Sequence, residues 1–226
     1  MKEYDPSSSN RLEPETIKHR LVTAFLGHDV ICLSKTSSTN DVAKELAQAG
    51  APDGSLVMAE EQTAGRGRLG RAWLAPAGSC LLLSLVLRPL VSPEAAFRLT
   101  MLAGVAAAAA IESVAGLRAG LKWPNDVFVN GRKVAGILSE MSLAEGRVDF
   151  VVIGVGLNVN ADLTVFTEIA ATATSLSSEL GRQVDRLELL GQFLVEFERR
   201  YLPASSAFRY RGSQPVSSGC NGTVLK

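Results

Sequence analysis

The sequence predicts an α+β domain: a mixed, largely antiparallel β-sheet with helices flanking it on one face. Three observations lead there. Continuous apolar runs of strand length, such as "GSCLLLSLVLRP" (78–89), are bounded by turn residues and suit strands buried on both faces. An Asn130-Gly131 pair lies between two further apolar runs, the strongest short-range hairpin signal. Strands outnumber helices, yet long stretches with helical spacing are interspersed among them.

Taken in order, residues 1–14 are polar and proline-bearing and are expected to form a disordered N-terminal tail. A short helix is expected over 15–26. "DVICLSKTSSTNDVAKELAQAG" then predicts a strand near 29–34, a polar turn, and a helix from Ser38 that stops at Gly50. Ser38 and Asp41 stand at capping-box spacing, and Val42, Leu46 and Ala49 recur at helical spacing. "GSLVMAEEQ" (54–62) predicts a strand running into a glycine-arginine loop. Ser92-Pro93 opens a long helix to about Ala119, rich in alanines that would allow close packing on a sheet. "LKWPNDVFVNGRKVAGILSEMSL" predicts the hairpin, "RVDFVVIGVGLNVN" one more strand, and 185–201 the last helix. One domain over 15–203 is expected, with 204–226 as a short C-terminal tail.

Composition narrows the function classes. Hydrophobic residues make up 46% and charged residues 20% of the 226, enough apolar material for a sizeable core. Lys+Arg and Asp+Glu are both 23, so the basic excess of a nucleic-acid-binding chain is missing, and no nucleic-acid partner is expected. Cys32, Cys80 and Cys220 are widely spaced, and only His19 and His28 are present. Reduced thiols in a cytoplasmic protein are expected, with no permanently bound metal. The N-terminus carries no signal-type apolar stretch. The apolar run "MLAGVAAAAAIESVAG" is interrupted by Glu112, which predicts a buried helix and no membrane partner.

Four stretches could carry chemistry. "EEQTAGRGRLGRAW" (60–73) packs three glycines and three arginines into Gly65–Arg71. Glycine lets a backbone approach a ligand and arginine holds a fixed cationic fork, so the loop suits either a nucleic-acid groove or a small anion. In "KWPNDVFVNGRKVAGILSE" (122–140), Lys122 and Lys133 flank a hairpin, and Asn125-Asp126 could hold a ribose, a magnesium ion or a turn. "GVGLNVN" (154–160) has Val159 where a dinucleotide fingerprint needs its third glycine. Its Gly154 and Gly156 make room beside a ligand, and Asn158 offers an amide. "SKTSSTND" (34–41) puts hydroxyls at a helix N-terminus, which suits a polar ligand or simple capping.

As a set, "SSTN" (37–40), "QTAGRGRLGRAW" (62–73), "KWPNDV" (122–127), "RKVAGILSE" (132–140) and "GVGLNVN" resemble the biotin–protein ligase family, the biotin–acetyl-CoA-carboxylase ligases, over roughly 29–200. The resemblance implies a catalytic domain like that of class II aminoacyl-tRNA synthetases, shared with lipoate ligases. It implies ATP with Mg2+ and biotin as substrates, a biotinyl-5′-AMP intermediate, and transfer to one lysine of a biotin carboxyl carrier protein of acetyl-CoA carboxylase or a related carboxylase. Ser38, Thr39, Asn40 and Gln62 match positions that meet biotin's polar head. Arg66, Gly67 and Arg68 match those over the carboxylate and phosphate, and Lys133 the one that holds biotin's carboxyl end and the adenylate. Lys122 and Asn125 are implied at the polyphosphate, Arg71, Trp73 and Asn158 on the nucleotide side, and Asp126 at magnesium. Arg66, Arg68, Lys122 and Lys133 form the implied catalytic set.

The family also sets expectations about what the chain lacks. Too few residues precede the first expected strand for the winged-helix module of members that act as repressors, so a ligase without transcriptional regulation is expected. The residues after Tyr201 are too few for the usual small β-barrel, which leaves a minimal variant or a truncated chain. The resemblance also admits a homodimer. The 62–73 loop is expected to order only around the adenylate. Competing readings are a lipoate–protein ligase, an RGR-loop nucleic-acid-binding protein, and a ligase-like protein that binds biotinyl-AMP without turnover.

Overall fold

The computed structural model describes residues 12–209, in which seven strands make one sheet. These are β1 (Val30–Leu33), β2 (Leu56–Ala59), β3 (Cys80–Leu87), β4 (Ala119–Lys122), β5 (Asp126–Val129), β6 (Arg132–Ala144) and β7 (Arg147–Asn158), in the order β1-β2-β3-β7-β6-β5-β4. The helices are α1 (Pro14–Arg20), α2 (Thr39–Gln48), α3 (Phe97–Ala115), α4 (Leu176–Leu180) and α5 (Arg186–Arg209). Only β1 and β2 pair in parallel, because α2 carries the chain back between them; every other neighbour is antiparallel. The Asn130-Gly131 turn joins β5 to β6 with both residues at positive φ, 49° and 77°, as a two-residue hairpin requires.

Side-chain alternation along the strands divides the layers. Leu81, Leu83, Leu85 and Leu87 of β3 and Val151, Ile153 and Val155 of β7 face α3 and α5 in the main core. Ala103, Ala106, Ala107 and Ala110 of α3 are fully buried, so this helix lies close to its neighbours. On the other face, Ala43 and Ala47 of α2 cover Val57, Val86, Phe150 and Val152. Helices therefore lie on both faces, not one, since the strands are apolar in both registers. Further along that second face, Cys80 and Leu82 pack beneath Ala161, Leu163 and Ala173. Between these two small clusters lies the cleft described below.

Several boundaries differ from the sequence expectation. Leu12, assigned to the tail, is buried and its N–H donates to Glu60 Oε1 at 3.1 Å; residues 1–11 lie outside the described residues. α1 ends at Arg20 because the N–H groups of Ala24, Phe25 and Leu26 donate instead to the Glu198 carboxylate of α5, at 2.6, 3.0 and 3.1 Å. The 92–119 helix opens as a 3-10 turn, Pro93–Ala95, and ends on Gly116 at φ 67°, which frees 119–122 to become the edge strand β4. Residues 93–115 are long and apolar enough to cross a membrane, at mean hydropathy 1.5, and half of the stretch is buried inside the protein. A nearly buried ion pair, Arg186 Nη1 to Glu60 Oε2 at 2.6 Å, fastens the start of α5 beside the end of β2. Residues 204–209 of the expected tail continue α5, and 210–226 lie outside the described residues.

Candidate active site

The cleft floor is made of glycine. Gly136 of β6 and Gly156 of β7 are direct cross-strand partners, and Gly154 is paired with Ser84 of β3. Each glycine keeps a neighbour's place open. A Cβ at Gly156 would stand 2.4 Å from Trp73 Cε2, one at Gly136 3.0 Å from Trp73 Cζ3, and one at Gly154 2.1 Å from Asn40 Oδ1. The floor is therefore shaped to receive an indole ring at one place and an amide at another.

Residues 62–73 form a strap across this floor. Gly67 N–H donates to Arg71 O at 2.7 Å, Trp73 N–H donates to Gly65 O at 2.8 Å, and Arg66 bridges Ala72. Leu69 and Gly70 turn the tip at positive φ, 58° and 72°. The strap is thus an internally bonded hairpin.

The inner end of the cleft is polar and uncharged at its centre. Gln62 Oε1 accepts from the Thr39 N–H at 2.7 Å and from the Thr39 hydroxyl at 3.0 Å. Ser84 donates to Asn40 Oδ1 at 2.6 Å, and Asn40 Nδ2 donates to Glu140 Oε2 at 2.7 Å. The expected capping box does not form. Ser38 has N-cap backbone geometry but no side-chain capping bond, because Gln62 takes the first free N–H of α2. Asp41 turns away to grip Arg66 through both guanidinium nitrogens, at 2.7 and 2.5 Å, and Lys44 at 3.0 Å. The Arg66 hydrogen bonds outweigh desolvation and hold the Asp41 carboxyl down at about 2; they also raise the Arg66 pKa. Lys44 is bound at 2.9 Å by Glu140 as well, so α2, the strap and β6 share one charge network.

The outer end is cationic. Lys133 Nζ sits 5.5 Å from the Trp73 ring centroid and 2.7 Å from Asp126 Oδ1. Its backbone is bonded on both sides to the 172–174 segment, N–H to Thr172 O at 2.9 Å and carbonyl from Thr174 N–H at 2.8 Å. Arg68 donates to Asn125 Oδ1 at 3.2 Å, and Asn125 Nδ2 donates to Ile137 O at 3.0 Å. Lys122 Nζ stands 5.3 Å from the Phe128 centroid. Asn158, expected to present its amide to a ligand, lines the outer cavity but is only 3% exposed. Its Nδ2 donates to Thr174 O at 3.1 Å, and the Cys80 thiol lies against its Oδ1. Burial pushes the Cys80 thiol up to about 11 and keeps it protonated.

Three cavities meet at Gly67, Arg68 and Asn125. The inner slot is narrow, about 50 Å³, and joins Ser38, Thr39, Asn40 and Gln62 to Arg66, Trp73 and Lys133. The outer cavity, about 630 Å³, brings Arg71, Lys122, Asp126 and Asn158 beside Lys133. A third, about 590 Å³, opens on the other side of the strap. All fourteen expected residues therefore border one connected cleft. Sequence reasoning missed Ser84, Glu140 and the pairing of Asp41 with Arg66. Ser84 could have been flagged as the one hydroxyl inside the apolar run "CLLLSLVL". Among the described residues no three His, Cys, Asp or Glu side chains gather as a metal cluster, and Asp126 is already paired with Lys133.

The chemistry of such a cleft would suit an elongated acid, with a polar end among uncharged hydrogen-bonding groups and a carboxylate among fixed cations next to room for phosphates. Comparison with known proteins points the same way. The model of the biotin/lipoate A/B protein ligase family matches residues 32–158. The bifunctional ligase/repressor BirA of Bacillus spizizenii is 43% identical over 84% of this chain, which spans only 59% of that relative's length. The biotin--[acetyl-CoA-carboxylase] ligase of Paracoccus denitrificans is 40% identical over 74% of this chain and 70% of its own. Biotin protein ligase from Aquifex aeolicus in complex with biotin and ATP superposes with a TM-score of 0.68 at 30% identity, covering 81% of this chain and 75% of that one. The matched span carries the strap, the hairpin and the glycine floor together, and the chain belongs to the biotin/lipoate A/B protein ligase family.

Proposed function

We propose that the chain activates biotin with ATP and transfers the biotinyl group to a lysine of a biotin carboxyl carrier protein. One observation carries the reading: the cleft changes from uncharged polar groups at Thr39, Asn40, Gln62 and Ser84 to cations at Arg66, Arg68 and Lys133 across a glycine floor. A urea-like ring head suits the inner end, an apolar tail suits the floor beneath Trp73, and a carboxylate suits the cations.

In the first step a carboxylate oxygen bonds to the α-phosphorus and the bond to pyrophosphate breaks. Both reactants are anionic, and two like unit charges 4 Å apart repel by about 4 kcal/mol at an effective dielectric near 20. Lys133 and Arg68 offset that repulsion and the charge that develops on the phosphoryl oxygens. In the second step a neutral lysine Nζ attacks the acyl carbon, the carbon–oxygen bond breaks, AMP leaves, and the amine proton goes to solvent. The strap limits water access to the activated acyl group between the steps.

The outer cavity, with Arg71 and Lys122, suits the polyphosphate. A protein-built cage for Mg2+ does not fit these residues. An ion carried by ATP does, with Asp126, the one carboxylate lining this cavity, as a single protein ligand and phosphate and water as the rest. The names borne by relatives support acetyl-CoA carboxylase as the source of the carrier. Balanced charge supports a reading with no nucleic-acid partner, and the wide spacing of the three cysteines supports a cytoplasmic enzyme.

The test is pyrophosphate release on adding biotin and ATP, with lipoate in parallel. Biotin-dependent release that collapses in Arg68→Ala and Lys133→Ala is expected. Release driven equally by lipoate, or unaffected by those substitutions, would overturn the assignment.

A further inference from the structure

Lys133 stands at an irregular place in the sheet. Phe128 of β5 pairs with Lys133 and Val127 with Ala135, so Val134 is an extra residue bulged immediately after the lysine. A bulge disrupts the ladder locally and re-aims a neighbouring side chain. On the edge facing β7, the pairing of β6 begins at Ala135, one step beyond the bulge. Lys133 is held on that edge by a single parallel bridge to Ala173, in a segment outside the named strands. The lysine that serves the site is thus carried by a strand end with little ladder of its own.

Glu179 of α4 fastens both sides of that bridge. Its side chain is only 6% exposed. Oε1 accepts from Arg132 Nη2 at 2.5 Å and from the Thr174 hydroxyl at 2.6 Å, and Oε2 accepts from Asn130 Nδ2 at 2.7 Å. Arg132 precedes Lys133 and Thr174 follows Ala173, so one carboxylate grips a neighbour of each bridge partner. α4 is itself fixed, with Leu176 fully buried and Ser177 N–H donating to Val159 O at 2.8 Å. Glu179 lines none of the three cavities of the cleft.

We infer that Glu179 is a positioning residue for Lys133: it ties the β5–β6 hairpin and the 172–174 segment to α4 on either side of the lysine, and so fixes where the ammonium points. The inference rests on the proposed ligase activity, in which Lys133 offsets charge at the α-phosphate. Misplacing a reacting group by about 1 Å can cost about 100-fold in rate, and a bulged strand end on one bridge leaves that much freedom unless something removes it. Hydrogen bonds to an ionised carboxylate are the stronger kind, which suits a buried group asked to hold two segments in register.

The decisive variant is Glu179→Ala. Its kcat for pyrophosphate release with biotin and ATP is expected to fall about 10- to 100-fold, with KM for each substrate within about threefold, because the lysine's charge matters most in the transition state. In a Lys133→Ala background the same substitution is expected to add no more than about twofold, since the group it aims is gone. Glu179→Gln is expected to recover kcat to within about threefold: its Oε1 keeps Arg132 and Thr174, and the exposed Asn130 amide turns to accept from the new amide N–H. If Glu179→Ala does not fold, Thr174→Val removes one hydroxyl from the carboxylate and carries the same comparison with a smaller drop.

Unchanged kcat in a folded Glu179→Ala chain overturns the inference. So does an equal loss in the Lys133 and Lys133→Ala backgrounds, which would make Glu179 a support of the fold at large. A loss confined to KM for ATP, or a Glu179→Gln chain no better than Glu179→Ala, also overturns it. Failure of the unmodified chain to release pyrophosphate defeats the ligase reading alone. The hold on the lysine's strand is then read by hydrogen exchange, where the Lys133 and Thr174 amides are expected to exchange about tenfold faster or more in Glu179→Ala. Unchanged exchange there would sink the inference by itself.

Discussion

Ser84, Asn40 and Gly154 stand on regular elements and are closed to solvent, and their hydrogen bonds run to other fixed groups of the same wall. Arg66 and Arg68 stand on the strap facing them. There Arg66 Nη2 holds Asp41 at side-chain exposures of 39% and 33%, and Arg68 Nη1 makes a 3.2 Å bond to Asn125. The wall is a stable shape, and the strap's contacts are of a kind a ligand can replace. Exposed ion pairs contribute little to stability, so exchanging one for a substrate anion costs little. On the proposed reading, recognition of the acid's far end would fall to the wall, and charge compensation at its reacting end to the strap and to Lys133.

The contrast is sharpest at Arg68. Arg68→Ala is expected to lower the rate of pyrophosphate release about 100- to 1,000-fold, as loss of one charge-stabilising donor does, with no change in Tm. A drop in Tm alongside the rate would mean that the strap also supports the fold.

Gly154→Ala is the matching change on the wall. The added Cβ meets Asn40 Oδ1 at 2.1 Å, so either the amide or the strand must shift. Overpacking of this kind costs about 1–3 kcal/mol, which for a chain of this size lowers Tm by about 2–4 °C per kcal/mol. The expected signature in thermal melts and titrations with biotin is both a lower Tm and a KM for biotin raised about 10- to 100-fold, as that energy implies. Equal KM values would show that the floor is not in contact with the acid.

Asp41→Asn is expected to have a smaller effect, confined to the strap. Removing the bidentate partner of Arg66 should speed proteolysis within Gly65–Arg71 about threefold, while Tm falls by no more than the small worth of an exposed pair. The pH dependence has a definite sign. Asp41 is held down at about 2 in the folded chain, so its pairing is complete above the ordinary carboxylate range. Protection of the strap should be flat from pH 8 to about 4 and fade as pH drops through about 2. Loss of protection near pH 6 would contradict the pairing.

Lys122→Ala should show the least, a two- to threefold rise in KM for ATP, because its exposed ammonium acts at a distance through solvent, about 1 kcal/mol or less. Steady-state kinetics at low and high salt measure it, and the effect should shrink as salt rises.

The strap and the floor were legible in the sequence because their composition departs from the surroundings: three arginines among glycines, and glycines inside an apolar strand. The hairpin turn was legible because Asn-Gly tolerates positive φ. The Asp41 assignment failed for a physical reason. The spacing Ser38-x-x-Asp41 fits a capping box, but a carboxylate goes to the strongest donor in reach, and Arg66 is brought there only by tertiary folding. Helices on both faces were illegible from 3.6-residue periodicity, which says that a helix has an apolar side and not which side of the sheet it meets. The strand at 119–122 escaped notice because Gly120, Leu121 and Lys122 are all exposed and carry no alternation. The contact of Asn158 with Thr174 needed the 160–175 segment in place, and that stretch has too little regular structure to be placed from its letters.

Trp73 gives the cleft an optical label of its own. The chain has two tryptophans, and the other, Trp123, lies in the open at 75% exposure. With Trp123 exchanged for phenylalanine, a single indole would remain, pressed on two glycines with a lysine ammonium 5.5 Å from its ring. Its emission colour and intensity should respond whenever something slides beneath it or draws that ammonium away. Occupancy of the cleft could then be followed in real time, without a dye and without waiting for turnover.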